Sequence, residues 1–131
     1  MKTYPTSSEL STPRGYSHVV SASGSRTVYV AGQIAMDKDG NLVGAGDLRA
    51  QTTQVLTNVK AALAAAGATF DDIVKQNTYI VNLKPDDLPI LREVRAQFFT
   101  SANPPASTLL GVTALAFEGL LIEVEVIAVV D

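Results

Sequence analysis

Residues 120–130 read LLIEVEVIAVV, an apolar run that is interrupted only by Glu123 and Glu125. Successive side chains of a β-strand point to opposite faces, so both carboxylates fall on one face and the other face is wholly aliphatic. An aliphatic face of this length is typical of a strand that packs on a core. The glutamate face must therefore meet something else, which could be solvent, a partner subunit or a ligand.

The composition indicates one domain that has apolar residues to spare. The chain has 131 residues, of which 47% are hydrophobic and 18% are charged. A small domain of this kind often hides its apolar surplus in a subunit interface, so we expect an oligomer. The net charge is −3 with only 10 Lys and Arg residues, and no basic run exists, so we expect no nucleic-acid partner.

The counts of cysteine and histidine exclude several kinds of chemistry. The chain has no cysteine, which excludes thiol catalysis, disulfides and thiolate metal sites. A single histidine, His18, excludes a multi-histidine zinc site within one chain. No apolar run is long enough to span a bilayer, and the N-terminus lacks the apolar segment of a signal peptide. We therefore expect a cytoplasmic protein with no membrane partner and no metal site.

Periodicity and turn residues predict the order β-β-α-β-α-β-β in a single domain, residues 1–131. A helix over Leu48 to Ala66 is predicted by its apolar stripe, with Asp47 as N-cap and Gly67 after its C-terminus. The other predicted elements are a hairpin of Tyr16 to Ser21 with Thr27 to Ile34, a strand Lys75 to Asn82, a helix Leu88 to Phe99, and strands Ser107 to Leu115 and Leu120 to Val130. This order favours an α+β fold with both helices on one face of a mixed sheet. The other face is then bare, which again favours an oligomer.

Several local strings, in this order and spacing, resemble the RidA (YjgF) family of reactive intermediate deaminases, also called the endoribonuclease L-PSP family. The strings are Gly15-Tyr16-Ser17, Ala31-Gly32-Gln33-Ile34, Gln51 to Leu63 with the AAAG that follows, Asp72 to Lys75, Phe98-Phe99, Pro105-Ala106 and Ile122-Glu123-Val124-Glu125. The resemblance covers nearly the whole chain from Gly15 onward. It implies a chorismate-mutase-like fold assembled as a homotrimer around a barrel of sheets, with small-molecule ligands in three clefts between subunits.

The resemblance also implies a chemistry, namely hydrolysis of enamines and imines to 2-keto acids and ammonia without a metal or cofactor. It makes Tyr16 the cleft tyrosine and Glu123 the carboxylate that orients water. A carboxylate in an apolar interface has a raised pKa, which suits it to relay a proton near neutrality. Gly32 fits a close backbone approach at the cleft, and Thr108 falls where the family presents donors to the ligand.

Three positions depart from the deaminating members of the family. Ser107 stands where those members have an arginine that grips the substrate carboxylate, Ala31 replaces a serine at the end of a strand, and Arg92 replaces a cleft asparagine. A bidentate charge-assisted pair is worth far more than one hydroxyl contact. Two interpretations are open: Arg92 supplies the cation from a different wall of the cleft, or the cleft accepts a different, neutral small molecule.

A purely structural interpretation of the helix-two arginines is open as well. Arg92 and Arg95 would then form a solvated helix face and pair locally with Glu93 or Asp87.

His18 and Glu125 are candidates with structural alternatives. His18 shares the predicted strand face of Tyr16, which makes it a candidate ligand contact, although a lone histidine in such a place is more often structural. Glu125 shares a face with Glu123 but has no family role, so we expect it to pair with a basic group or solvent near the barrel.

The sequence therefore predicts a cofactor-independent hydrolase of enamines, imines or related small molecules with an atypical substrate. The alternative is a non-catalytic small-molecule-binding or chaperone-like protein that uses the same cleft. Ribonuclease activity, the older family label, gains no support from an acidic chain with one histidine.

Overall fold

The strand predicted to bury its aliphatic face, Ile122–Val130, lies in the middle of a mixed sheet of four strands. The computed structural model describes residues 1–131. The elements in chain order are β1 (Lys2–Thr3), β2 (Ser21–Ala22), β3 (Arg26–Ile34), α1 (Leu48–Ala65), a 3-10 turn (Phe70–Asp72), β4 (Ile73–Val81), α2 (Asp87–Ala96), β5 (Ala106–Val112) and β6 (Ile122–Val130). The strand order is β3-β6-β4-β5, in which only β4 and β5 are parallel. The α+β prediction is confirmed.

The two faces of β6 differ as the alternation predicts. Ile122, Val124, Val126 and Ala128 are each at most 2% exposed and belong to the core. The same core contains side chains of both helices, so the helices pack on this face of the sheet. Burying an aliphatic side chain of this size contributes roughly 1.5–3 kcal/mol, so this face of β6 is a large part of what holds the domain together.

Helix α1 begins and ends where its sequence signals predict. The Asp47 carboxylate accepts a hydrogen bond of 3.0 Å from the backbone N–H of Ala50. Gly67 follows the helix with a φ of +71°, a left-handed conformation that glycine adopts at little cost. Ala68 then donates its N–H to the carbonyl of Leu63 and closes the helix end.

The predicted hairpin of Tyr16 to Ser21 with Thr27 to Ile34 is wrong. Ser17 instead forms an isolated parallel bridge with Ala106 on β5, and β2 pairs with β1 near the N-terminus. The turn before β3 leads onto β6 rather than back to residues 16–21, since the N–H of Ser25 donates to the carbonyl of Val130. Alternation in the short 16–21 segment is real, but its sparse apolar side chains give no face that a sheet could bury.

Two further boundaries are shorter than the sequence predicts. Helix α2 ends at Ala96 and β5 ends at Val112, whereas the predictions reached Phe99 and Leu115. The N–H groups of Phe98 and Phe99 both bond the carbonyl of Arg95, which turns the two rings inward after the helix. No helix in the structure has the length and apolarity needed to cross a membrane.

The sheet face opposite the helices is open, and we call it the outer face. It carries Tyr29, Tyr79, Leu110, Glu123 and Glu125, which share a face by strand register. Tyr29 is 77% exposed and Leu110 is 49% exposed. Large apolar side chains that are grouped on an open face are typical of an interaction surface.

Candidate functional site

A cavity of about 550 Å³ lies between α2, the segment around Tyr16 and the helix side of the sheet. Three predicted site residues, Tyr16, Arg92 and Ser107, line it together. A second cavity, of about 660 Å³, adjoins it and shares Tyr16 and Arg92. Volumes of this size suit a small organic ligand.

The backbone around Tyr16 is fixed to the edge of the sheet, which explains how a residue outside any strand reaches the site. Gly15 has a φ of +76° and turns the chain just before Tyr16. The next residue, Ser17, donates its N–H to the carbonyl of Pro105 over 3.0 Å. Tyr16 therefore stands beside the start of β5 and lines the same cavity as Ser107.

Part of the cavity wall contributed by the sheet is polar. Ser107 on β5 pairs in register with Gln76 on β4, and Thr78 follows on the same face of β4. Gln76 is 1% exposed, and its Nε2 donates to the Thr78 hydroxyl over 3.0 Å. Buried amides are costly unless they are bonded, so this pair fixes the orientation of the Gln76 carbonyl toward α2.

Every charged side chain that lines either cavity is an arginine. Arg14, Arg92 and Arg95 line the first cavity, and no aspartate or glutamate lines it or the adjoining one. This contrasts with a chain whose net charge is −3. A pocket lined by charges of one sign concentrates its field on small ions of the opposite sign, so this pocket is suited to anions.

Of the three cavity arginines, Arg95 has the most buried side chain. Its Nη2 lies 3.5 Å from Oε1 of Gln76, its Cζ lies 5.3 Å from the centre of the Phe99 ring, and its buried Nε has no hydrogen-bond partner. Burial lowers the pKa of Arg95 below its usual range. The pairing expected with Glu93 or Asp87 is not formed.

The two acidic side chains of α2 have other partners. Glu93 pairs with Arg49 over 2.6 Å, and Asp87 pairs with Lys84 over 3.8 Å. Arg92 is exposed and has no ion-pair partner either. The local pairing that the structural interpretation expected is therefore absent, while Arg92 is exposed as it expected and Arg95 is only partly exposed.

Glu123 lies on the other side of the sheet from this cavity. Its neighbours Ile122 and Val124 line the cavity, whereas its own side chain stands on the outer face. Gly32 makes room for it, because a Cβ on Gly32 would come within 2.2 Å of the Glu123 Oε2. The nearest group is thus a side chain of the same chain rather than backbone at a cleft, and the register of β3 with β6 shifts between Val30 and Gln33, a stretch that includes Ala31.

Glu125 is hydrogen-bonded by two neutral side chains of its own chain and not by a basic group. Tyr79 donates its hydroxyl to Oε1 of Glu125, and Asn77 donates to the same atom over 3.2 Å. Lys75, the cation nearest in register, instead donates to the Thr108 hydroxyl over 2.7 Å. Thr108 is thereby on the outer face and is separated from the cavity that Ser107 lines.

His18 packs against Tyr16 rather than entering the cavity. The two rings meet edge to face at 5.3 Å, and the Nε2 of His18 lies 2.7 Å from the carbonyl oxygen of Ser11. His18 lines a separate hollow of about 440 Å³ beside the N-terminal segment. Within one chain, its contacts hold the Tyr16 segment in place.

Apart from His18, the predicted site residues fall into two groups on opposite faces. Tyr16, Arg92 and Ser107 meet at the cavity, while Glu123, Gly32, Ala31 and Thr108 belong to the outer side of the sheet.

Sequence reasoning missed two cavity residues, Arg14 and Arg95. Arg95 lies four residues after the buried Leu91, so the same helical spacing that defines the apolar stripe could have placed it beside the cavity. Arg14 lies in the irregular segment before Tyr16, where no periodic signal exists.

Tyr79 provides a test of the outer-face hydrogen bonds by titration. The hydrogen bond to Glu125 raises the pKa of Tyr79 above its usual value, with burial and the charges of Glu125 and Glu123 acting in the same direction. In a near-ultraviolet absorbance titration, Glu125→Gln should bring one tyrosine back to an ordinary pKa, and Tyr79→Phe should remove the late-titrating tyrosine. Because the folded pKa is the higher one, this contribution to stability is complete below about pH 10 and is lost as pH rises through the folded value. Four tyrosines with the same titration before and after Glu125→Gln would contradict the bond.

The model of the family described as Endoribonuclease L-PSP matches residues 6–130. The chain belongs to this family. The RidA resemblance noted in the sequence is therefore confirmed, and the match includes the cavity residues and both outer-face glutamates.

Relatives within the family include named deaminases. A 2-iminobutanoate/2-iminopropanoate deaminase of Dermatophagoides farinae is 38% identical over 105 residues, which are 80% of this chain and 79% of the relative. The Homo sapiens protein of the same name is 34% identical over 79% of this chain and 73% of its own length. Among solved structures, the Rid family protein YyfB of Yersinia pestis, described as being of unknown function, has a TM-score of 0.91 and 41% identity over 98% of both chains. The predicted fold is thus confirmed by a family member of nearly the same length.

Proposed function

We propose that the protein is a cofactor-independent hydrolase of the deaminase type, acting on enamines, imines or related small molecules that carry an anionic group. One observation carries this proposal: a small-molecule cavity places Tyr16 among three guanidinium groups with no carboxylate in its lining. The family deaminases named above act on imino acids, whose carboxylate is an anion of suitable size. The neutral-ligand interpretation left open by the sequence loses support, because three cations are a poor lining for a neutral molecule.

The reaction needs a group that moves protons. In hydrolysis of an imine, water forms a C–O bond to the imine carbon, the nitrogen gains protons, the C–N bond breaks, and a ketone and ammonia leave. Water must lose a proton during the attack, and the nitrogen must gain one before it leaves. A carboxylate within reach of both atoms can perform both transfers, and Glu123 is the group we propose for them.

Glu123 cannot reach the cavity of its own chain, since the sheet lies between them. A second copy removes this difficulty if its outer face covers the cavity opening of the first. The exposed Tyr29 and Leu110 beside Glu123 support such an interface. We therefore propose a homotrimer, as the family resemblance implies, in which each cleft takes Tyr16 and the arginines from one subunit and Glu123 with Gly32 from the next.

The substrate would be atypical because the arginine that binds the substrate carboxylate in deaminating family members is absent at position 107. Deaminating family members carry an arginine at the position of Ser107, and a serine hydroxyl cannot form the same bidentate pair. The cavity keeps its positive charge through Arg92 and Arg95 on α2, which lie on a different wall. A carboxylate would thus be held from the helix side.

Release of ammonia and keto acid tests this function directly. Wild-type protein is added to 2-aminoacrylate and to longer 2-imino acids that a separate enzyme generates in the cuvette. We expect hydrolysis faster than the spontaneous rate for at least one of them. Glu118→Gln changes an exposed carboxylate outside the cavity and should hydrolyse the same substrate at the wild-type rate. Spontaneous rates for all of them, together with tight binding of carboxylates, would instead support a non-catalytic binding protein.

A further inference from the structure

Arg95 is a partly buried cation for which the fold supplies no counter-ion. None of the four ion pairs in the structure includes it, and its Nε is buried with no acceptor. A partly desolvated charge without a partner is unfavourable, and an anion that binds beside it offsets that cost. Arg95 lines both adjoining cavities, so a ligand in either one can reach it.

The guanidinium of Arg95 is also held in one orientation. Oε1 of Gln76 lies 3.5 Å from one terminal nitrogen, and the Phe99 ring lies against the guanidinium at 5.3 Å. Both supports are themselves fixed: Gln76 by its bond to Thr78, and Phe99 by an edge-to-face contact with Phe70 at 4.9 Å. A planar fork held this way is arranged for the two oxygens of a carboxylate.

We propose that Arg95 is the residue that recognises the carboxylate of the ligand, and that Ser107 is small because Arg95 occupies the place of a side chain at position 107. The two positions meet at one wall, since Ser107 is the register partner of Gln76, and Gln76 is the contact of Arg95. A second guanidinium at position 107 would stand beside the first and repel it. The carboxylate is therefore held from α2 rather than from β5.

The other two arginines of the cavity have a different role. Arg14 and Arg92 are exposed, so water screens their charges and they attract anions without fixing their position. Of the three arginines, only Arg95 is partly buried, has its guanidinium plane held by neighbouring side chains and has a buried N–H group without an acceptor. The substrate class rests on the proposed function, but the anion site itself does not require catalysis.

Binding of an unreactive carboxylate separates these roles. Isothermal titration with 2-oxobutanoate should show that Arg95→Gln weakens affinity about tenfold or more, because a buried charge-assisted pair is lost. Arg92→Gln should weaken affinity less than Arg95→Gln does. Arg26→Gln, which removes an exposed arginine on β3 that lines neither cavity, should leave affinity unchanged. The neutral amide of the same keto acid should bind wild type more weakly than the acid does.

Moving the cation back to the strand gives a second test. Ser107→Arg alone should lower affinity through repulsion, while Ser107→Arg combined with Arg95→Gln should recover most of the affinity that Arg95→Gln loses. If Arg95→Gln does not fold, Arg95→Lys keeps the charge without the fork and should still lose most of the affinity.

Three results would overturn the inference: unchanged affinity in Arg95→Gln, an equal loss in Arg92→Gln, or no carboxylate binding by wild type. Wild type that binds carboxylates through Arg95 but hydrolyses no imine would support this inference and contradict the proposed function.

Discussion

Replacing Glu123 by Gln should lower kcat for imine hydrolysis by about 10²–10⁴-fold, the usual contribution of a general acid or base. Glutamine has nearly the same shape but cannot take a proton from water. The change should leave the fold intact, because Glu123 lies on the outer face and not in the core. Steady-state ammonia release at saturating substrate measures the loss, and titration with 2-oxobutanoate should show that carboxylate binding is retained.

Glu125→Gln is the matched control for that substitution. Glu125 is two residues away on the same face, but Tyr79 and Asn77 already occupy Oε1 of its carboxylate. We expect kcat to stay within about threefold of wild type, far less than the loss of a general base. Equal losses in the two variants would argue that the outer-face charge, rather than Glu123 itself, is needed, and full activity in Glu123→Gln would remove it from the mechanism.

Local periodicity was sufficient for the elements that build the core. Strand β6 has alternation over its whole length, and α1 has both a stripe and two end signals, so each element carries its own evidence. The prediction for the Tyr16 to Ser21 segment failed because both β3 and β5 are edge strands, and the segment bridges to β5 rather than to β3. Strand β5 follows the segment in sequence by more than eighty residues, so this pairing leaves no local trace.

The arrangement of the candidate site could not be predicted from the sequence. Family position gave eight candidate residues for one cleft, and within one chain only Tyr16, Arg92 and Ser107 of them line the cavity. The importance of Arg95 depends on burial by Phe99 and on a contact with Gln76, both of which arise only from tertiary packing. Alternation correctly gave the face of Glu123, yet the position of the cavity on the opposite face required the structure.

A cleft built from two copies makes a prediction that a cleft within one chain cannot make. Glu123→Gln removes the half contributed by one subunit, and Arg92→Gln/Arg95→Gln removes the half contributed by its neighbour. Each variant alone should be nearly inactive. In mixed oligomers, some clefts combine Glu123 from one variant with the arginines from the other and are complete.

Coexpression of the two variants with different tags, followed by purification through both tags, tests the two-copy cleft most directly. In a closed trimer that carries both tags, one of the three clefts combines the two intact halves, so turnover should recover to about a third of wild type. The two variants purified separately and mixed without subunit exchange should show no recovery. Doubly tagged oligomers that remain as inactive as either parent would contradict a site shared between subunits, as would a protein whose mass in solution is that of a single chain.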